Sequence, residues 1–244
     1  MRYLFLILLL ILILLRVFAG ASPARACDLA LILAVDVSGS VDEADYATQR
    51  DGLARALSDS VVREALVAAQ ARVTIVQWTG ASRQRVTVPW MATDNHEAAL
   101  DLAARAAADP RVWEQYSTAI GELMALSLKL FEEVPECRRR VIDISGDGVS
   151  NEGREPTEFR GALTAAGIVV NAVVIETEGR DLRDYFWENV IHGEGAFVVM
   201  ARGFEDYAER IKQKLIREVA DQVSSVPKER PEPKPVSFRD HTFH

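Results

Sequence analysis

Short runs of β-branched and other apolar residues alternate with longer helix-patterned segments along most of this chain, and that alternation leaves few folds open. Leu29–Val35, Arg72–Trp78 (RVTIVQW), Val141–Ser145, Ile168–Ile175 and Ala196–Met200 read as strands. Asp45–Ala69 (broken near Ser58–Ser60), Asn95–Ala108, Thr118–Phe131, Thr157–Ala166, Leu182–Ile191 and Phe204–Val223 read as helices. In the last of these Phe204, Ala208, Ile211, Leu215 and Val219 recur at helical spacing. Strands alternating with helices imply right-handed βαβ units and parallel pairing. The nearly continuous apolar strands fit a sheet covered on both faces. Gln84–Trp90 follows Trp78 too closely for a crossover, so it must run antiparallel, and Pro89 places it at an edge. The expectation is an α/β fold: a doubly wound, mainly parallel sheet with one antiparallel edge strand and helices on both faces.

The two ends lie outside that pattern. Met1-Arg2 precedes an unbroken apolar run, Tyr3–Leu15, which Arg16 ends. A membrane span needs about 20 apolar residues, so the run fits a signal peptide over 1–26. Cleavage would follow Ala24-Arg25-Ala26, with Ala19-Gly20-Ala21 as a second candidate. An uncleaved membrane anchor is the alternative, and Arg25 fits poorly beside a lipid-modified Cys27. The expected location is therefore periplasmic or secreted. The domain would span 27–224, and 225–244, with its PKERPEPKP stretch, reads as a disordered tail rich in proline and charge. His241 and His244 fall in that tail and take no metal role. Without Arg2, Arg16 and Arg25 the 28 basic residues become 25 against 36 acidic, a net of −11. Such a balance argues against nucleic acid and anionic lipid as partners and permits cation binding. The two cysteines, Cys27 and Cys137, suit a disulfide in an oxidising compartment. Each precedes a strand that leads to an aspartate, so both reach one sheet edge if those strands are parallel neighbours.

Three polar clusters sit where strands end or helices begin, the positions where open α/β sheets bind ligands. Asp36-Val37-Ser38-Gly39-Ser40 follows the first strand, YSTAIG (Tyr116–Gly121) enters a helix, and ISGDGVSN (Ile144–Asn151) ends the strand from Val141. Each alone reads as a helix cap or a turn. Together they supply carboxylates and hydroxyls without histidine or cysteine, the donor set of a hard divalent cation. Without such a cation, two converging aspartates would raise one another's pKa.

Asp36-x-Ser38-x-Ser40 after a buried strand resembles the metal-ion-dependent adhesion site of von Willebrand factor type A domains, which include the integrin I domains. The resemblance covers about residues 28–222. It implies a role for Thr118 in Ser117-Thr118-Ala119-Ile120-Gly121, where Ser117 replaces the usual glycine, and for Asp147 in Ser145-Gly146-Asp147-Gly148, which carries one glycine more than the usual Thr-Asp-Gly. Asp143 is a possible substitute for Asp147. The implied metal ligands are Asp36, Ser38, Ser40, Thr118 and Asp147, holding Mg²⁺ or Mn²⁺. The resemblance also implies that the strand from Leu29 adjoins the strand from Val141, the adjacency a Cys27–Cys137 disulfide needs. VTIVQW, RVTVPW and FWENVI are similar to a secreted bacterial subfamily of such domains with no established function.

What the resemblance implies is an exported binding module. A partner's Asp or Glu carboxylate would complete the metal's coordination, with Trp113, Tyr116 and Ser117 at the rim. Trp78 and Trp90 read as packing. One rival is a Mg²⁺-dependent phosphatase, which needs a second aspartate where this chain has Ser38. A serine hydrolase needs a Gly-x-Ser-x-Gly elbow and a histidine partner. Ser38 lacks the elbow, and His96 and His192 read as surface residues. A third class is an envelope protein whose metal only stabilises it.

Overall fold

A computed structural model of the chain describes residues 27–176 and 182–224. The expected signal peptide, with both cleavage candidates, and the expected tail with His241 and His244 lie outside the described residues. Six strands form one sheet: β1 (Leu29–Asp36), β2 (Arg72–Trp78), β3 (Gln84–Ala92), β4 (Arg139–Gly146), β5 (Ile168–Ile175) and β6 (Val198–Ala201). Their order is β3-β2-β1-β4-β5-β6. Every pairing is parallel except β2 with β3. The short link from Trp78 to Gln84 thus does what its length requires, and Pro89 lies on an edge strand.

The helices are α1 (Glu43–Ser58), α2 (Ser60–Ala68), α3 (His96–Ala107), α4 (Ile120–Phe131), α5 (Arg160–Ala165), α6 (Arg183–Tyr185) and α7 (Phe204–Ser224). A 3₁₀ turn, Pro156–Phe159, leads into α5, and a π-helical turn, Phe186–Val190, continues α6. The break expected near Ser58–Ser60 is Asp59, which closes α1 and caps α2 by accepting from Val61 N–H. The helix expected from Thr118 starts two residues later, at Ile120, with no side-chain cap.

Two apolar layers cover the sheet. Leu31, Leu33, Val35, Leu57, Val73 and Tyr207 belong to one; Ile32, Ala34, Trp78, Ile120, Ile142 and Val174 belong to the other. Alternate residues of β1 enter opposite layers, so all eight of its residues are buried. At the amino end of the sheet Cys27 and Cys137 form a disulfide with Cα atoms 4.5 Å apart. Arg138 N–H and Arg139 N–H donate to the carbonyls of Cys27 and Asp28, bringing the two cysteines level. Among the described residues no helix is long and apolar enough to cross a membrane.

Candidate metal centre

The helix after β1 does not use the oxygens that precede it. Asp42 caps α1, accepting from Asp45 N–H at 2.8 Å, and the Asp45 side chain reaches back to Asp42 N–H. Asp36, Ser38 and Ser40 are thereby left for another purpose. Asp36 is fully buried at the carboxyl end of β1. Its Oδ1 accepts from Ser38 N–H at 2.7 Å, and its Oδ2 has no hydrogen-bond partner. Ser38 Oγ lies 3.2 Å from Ser40 Oγ, which donates to Asp147 Oδ1 at 2.6 Å. Ser40 is exposed, whereas Asp36, Ser38 and Asp147 are buried.

Gly146, the extra glycine, has a steric reason. A Cβ there would stand 3.2 Å from Asp36 Oδ2 and 3.5 Å from the Trp78 ring. Its absence lets the Asp36 carboxylate lie against β4. Thr118 is buried, and its Oγ1 would be 3.7 Å from a Cβ on Gly148, which puts the hydroxyl beside the Asp147-Gly148 turn. The five residues thus occupy one region at the carboxyl ends of β1 and β4 and the entrance to α4. Asp143 does not belong to it: its carboxylate meets Lys214 of α7, away from the centre.

Burial, followed by the charge of Asp147, pushes the Asp36 carboxyl up to about 7, against hydrogen bonds from the Ser38 and Asp147 backbone that favour its ionised form. Two buried acids this close strain against each other unless a proton or a cation intervenes. Among the described residues no group of three or more His, Cys, Asp or Glu side chains converges to hold a metal; the donors here are two carboxylates and three hydroxyls. That all-oxygen set, with an unmatched buried oxygen on Asp36, suits a hard divalent cation better than a soft one.

Several supporting residues carried no motif. Arg111, with its side chain 7 % exposed, directs Nη2 to the carbonyls of Val37, Ser38 and Val41. Gln77 on β2 fixes the backbone on both sides of Arg111, accepting from Val112 N–H and donating to the Pro110 carbonyl. Gln49 Nε2 donates to the Asp36 carbonyl at 3.0 Å. Asn151 Oδ1 accepts from Thr118 N–H, and Asn151 N–H donates back to the Thr118 carbonyl. Polar residues on otherwise buried faces, such as Gln49 and Gln77, were the available clue.

The expected rim is mixed. Tyr116 is exposed, its ring carries the Arg83 guanidinium at 3.7 Å, and its carbonyl accepts from Gly39 N–H. Ser117 is exposed, with its carbonyl bound to Thr79 Oγ1. Trp113 is half-buried and packs on the core. Trp78 is buried, and Trp90 donates to the Leu130 carbonyl. A cleft of about 630 Å³ opens beside the serine loop, between Gly39, Val41, Glu43, Arg111 and Glu114. His96 opens α3, and His192 pairs with the Thr164 hydroxyl; neither joins the centre.

The family described as "Protein of unknown function (DUF1194)" matches residues 26–223. No curated protein matches the chain. Among solved structures it is similar to proximal thread matrix protein 1 from the mussel byssus with zinc occupied MIDAS motif, at 16% identity over 79% of this chain and 46% of that one, TM-score 0.58. It is similar to a von Willebrand factor type A protein from Catenulispora acidiphila, at 16% identity over 79% of this chain and 43% of that one, TM-score 0.56. It is also similar to the pilus adhesin SpaC from Lactobacillus rhamnosus GG, at 13% identity over 83% and 31%, TM-score 0.58. The chain spans less than half the length of each of these solved chains. These likenesses establish the fold as that of von Willebrand factor type A domains.

Proposed function

Because the chain belongs to the DUF1194 family and has the von Willebrand factor type A fold, we propose that it is a metal-dependent binding module that recognises an acidic group on a protein partner. The observation that carries this reading is the buried Asp36–Asp147 pair, linked through Ser38 and Ser40, with Asp36 Oδ2 left unmatched. Asp36, Ser38, Ser40, Thr118 and Asp147 would hold Mg²⁺ or Mn²⁺. The ion would supply an electrophilic position for an Asp or Glu carboxylate from the partner. The chain's own residues do the rest. The two aspartates balance the ion's charge, and the hydroxyls add oxygens without adding repulsion. The exposed Ser40 marks the open side, and the adjoining cleft leaves room for the partner residues that flank its carboxylate. The zinc-occupied motif of the mussel protein and the adhesin among the structural neighbours support this reading. We place the module, residues 27–224, in the periplasm or outside the cell after loss of residues 1–26, which a disulfide at Cys27–Cys137 favours.

The test is thermal melting of the purified domain in chelator, Mg²⁺ and Mn²⁺, alongside Asp36→Ala. The midpoint should rise with either cation in the wild type and stay fixed in the variant. A wild type indifferent to both cations would remove the basis of the reading. A partner is then sought by capture with Mg²⁺ against chelator, with Asp36→Ala as the control.

A further inference from the structure

The metal centre uses neither Lys214 nor the two carboxyls that enclose it. Lys214, Asp143 and Glu218 are each at most 1 % exposed, a degree of burial ionisable side chains reach only when tightly partnered. On β4, Asp143 and Ser145 share a face and meet α7. Ser145 Oγ lies 3.0 Å from the Tyr207 hydroxyl, and Asp143 Oδ1 contacts Lys214 Nζ directly. One turn along α7, Glu218 Oε1 lies 2.6 Å from the same nitrogen. Asn171 on β5 orients Glu218 by donating to that oxygen at 2.9 Å, and Asn171 is itself fixed by Phe197 N–H. The Phe197 ring stands 5.6 Å from Lys214 Nζ. Arg139 reaches Glu218 through its backbone carbonyl, and Arg217 stacks on Phe197.

Two carboxyls and one amine in a dry interior carry a charge of −1 if all are ionised, which burial opposes. One added proton makes the cluster neutral overall. Passing the lysine's proton to Glu218 then leaves a free amine against a protonated Asp143. Burial, then the charge of Glu218, pushes the Asp143 carboxyl up to about 7, in keeping with that state. A desolvated amine is a nucleophile, contact with the acid supplies the proximity, and Glu218 is placed for proton transfer.

We propose that Lys214 and Asp143 become covalently joined, the Lys214 Nζ attacking the Asp143 carboxyl carbon to form an amide and expel one water. The Nζ–Cγ bond forms and a Cγ–O bond breaks. Glu218, which holds the lysine's first proton, gives it to the departing hydroxyl and takes the second from the nitrogen, so it ends protonated, and no oxidant or other reactant is consumed. A neutral amide replaces an ion pair in the core, and α7 becomes tied to β4 four residues before Asp147. This cross-link is independent of the metal reading.

The full chain is purified, reduced, unfolded and weighed intact by mass spectrometry, then digested with trypsin. The expected result is a mass lower by one water and a joined product linking 141–154 to 213–217, uncleaved after Lys214. The joined product is the criterion, because Asp147-Gly148 could lose water by cyclising on itself. Lys214→Met and Asp143→Ala should give the full mass, and Glu218→Gln should leave most of the chain unjoined. Folded wild type at full mass with normal cleavage after Lys214 would overturn the proposal. A joined product undiminished in Glu218→Gln would overturn the role of Glu218.

Discussion

Ser40 donates a 2.6 Å hydrogen bond to Asp147 across 107 residues of sequence. A serine three residues before the start of α1 thus finds its partner just past the end of β4, in the second half of the chain. That bond closes the candidate metal centre and keeps the Asp147 carboxylate near the buried Asp36.

The closeness of those acids has a pH signature. Without a cation the Asp36 carboxyl titrates at about 7 in the fold and near its ordinary 3.8 when unfolded. Between those values the folded chain holds a proton that the unfolded chain releases, so this group's contribution to stability falls as pH rises from about 4 to about 7 and then levels off. In chelator, wild type should lose more stability over that window than Asp36→Asn. Saturating Mg²⁺ should remove the difference in slope. Denaturant titrations at several pH values check this. Asp143 adds a slope of the same sign only while its carboxyl is free.

Arg111 should matter to metal binding although it offers the ion no oxygen. Its guanidinium holds three carbonyls of the loop that carries Ser38 and Ser40. Arg111→Met should weaken Mn²⁺ binding by about 10-fold, the scale of losses when groups that orient metal ligands are removed. Isothermal titration gives the affinity, and Arg111→Lys should recover part of it.

Gly121 leaves no room for a side chain. A Cβ there would be 2.1 Å from the Arg154 carbonyl oxygen. Gly121→Ala must push the 150–154 segment away, and Asn151 in that segment grips Thr118. A loss of about 1–3 kcal/mol is expected from such overpacking, with weaker metal binding beside it. Urea unfolding and the same titration measure both.

The disulfide closes a loop spanning 110 residues. In the chain-entropy account, removing it by Cys27→Ser with Cys137→Ser should cost about 4–5 kcal/mol. Equilibrium unfolding of wild type with and without reductant, set against the double variant, tests the figure.

Much of the sheet was legible because strand burial writes itself as apolar runs: β2 and β5 have the bounds their β-branched stretches mark. The antiparallel edge followed from loop length alone. The oxygen clusters were legible as a group, since strand ends in such sheets converge on one side. Their supports were not. Arg111, Asn151 and Gln77 act through backbone groups far off in sequence, and no local pattern records that geometry. Lys214 was harder still. It neighbours Leu215 on the apolar face of α7, where helical periodicity has no place for a charge. It is buried because Asp143 and Glu218 face it.

β1 is the axis of the sheet, yet neither of its neighbours exists when it is made. β2 begins 43 residues after the start of β1 and β4 begins 110 after it. A strand flanked on both sides by later arrivals must wait, and closing those long loops is slow. Asp36 therefore comes early but its counterpart Asp147 comes late, so the candidate metal centre can assemble only once most of the domain has taken shape. A metal held at that centre would then certify a finished fold, and a chain that stalled halfway would have strands without the oxygens gathered at their ends.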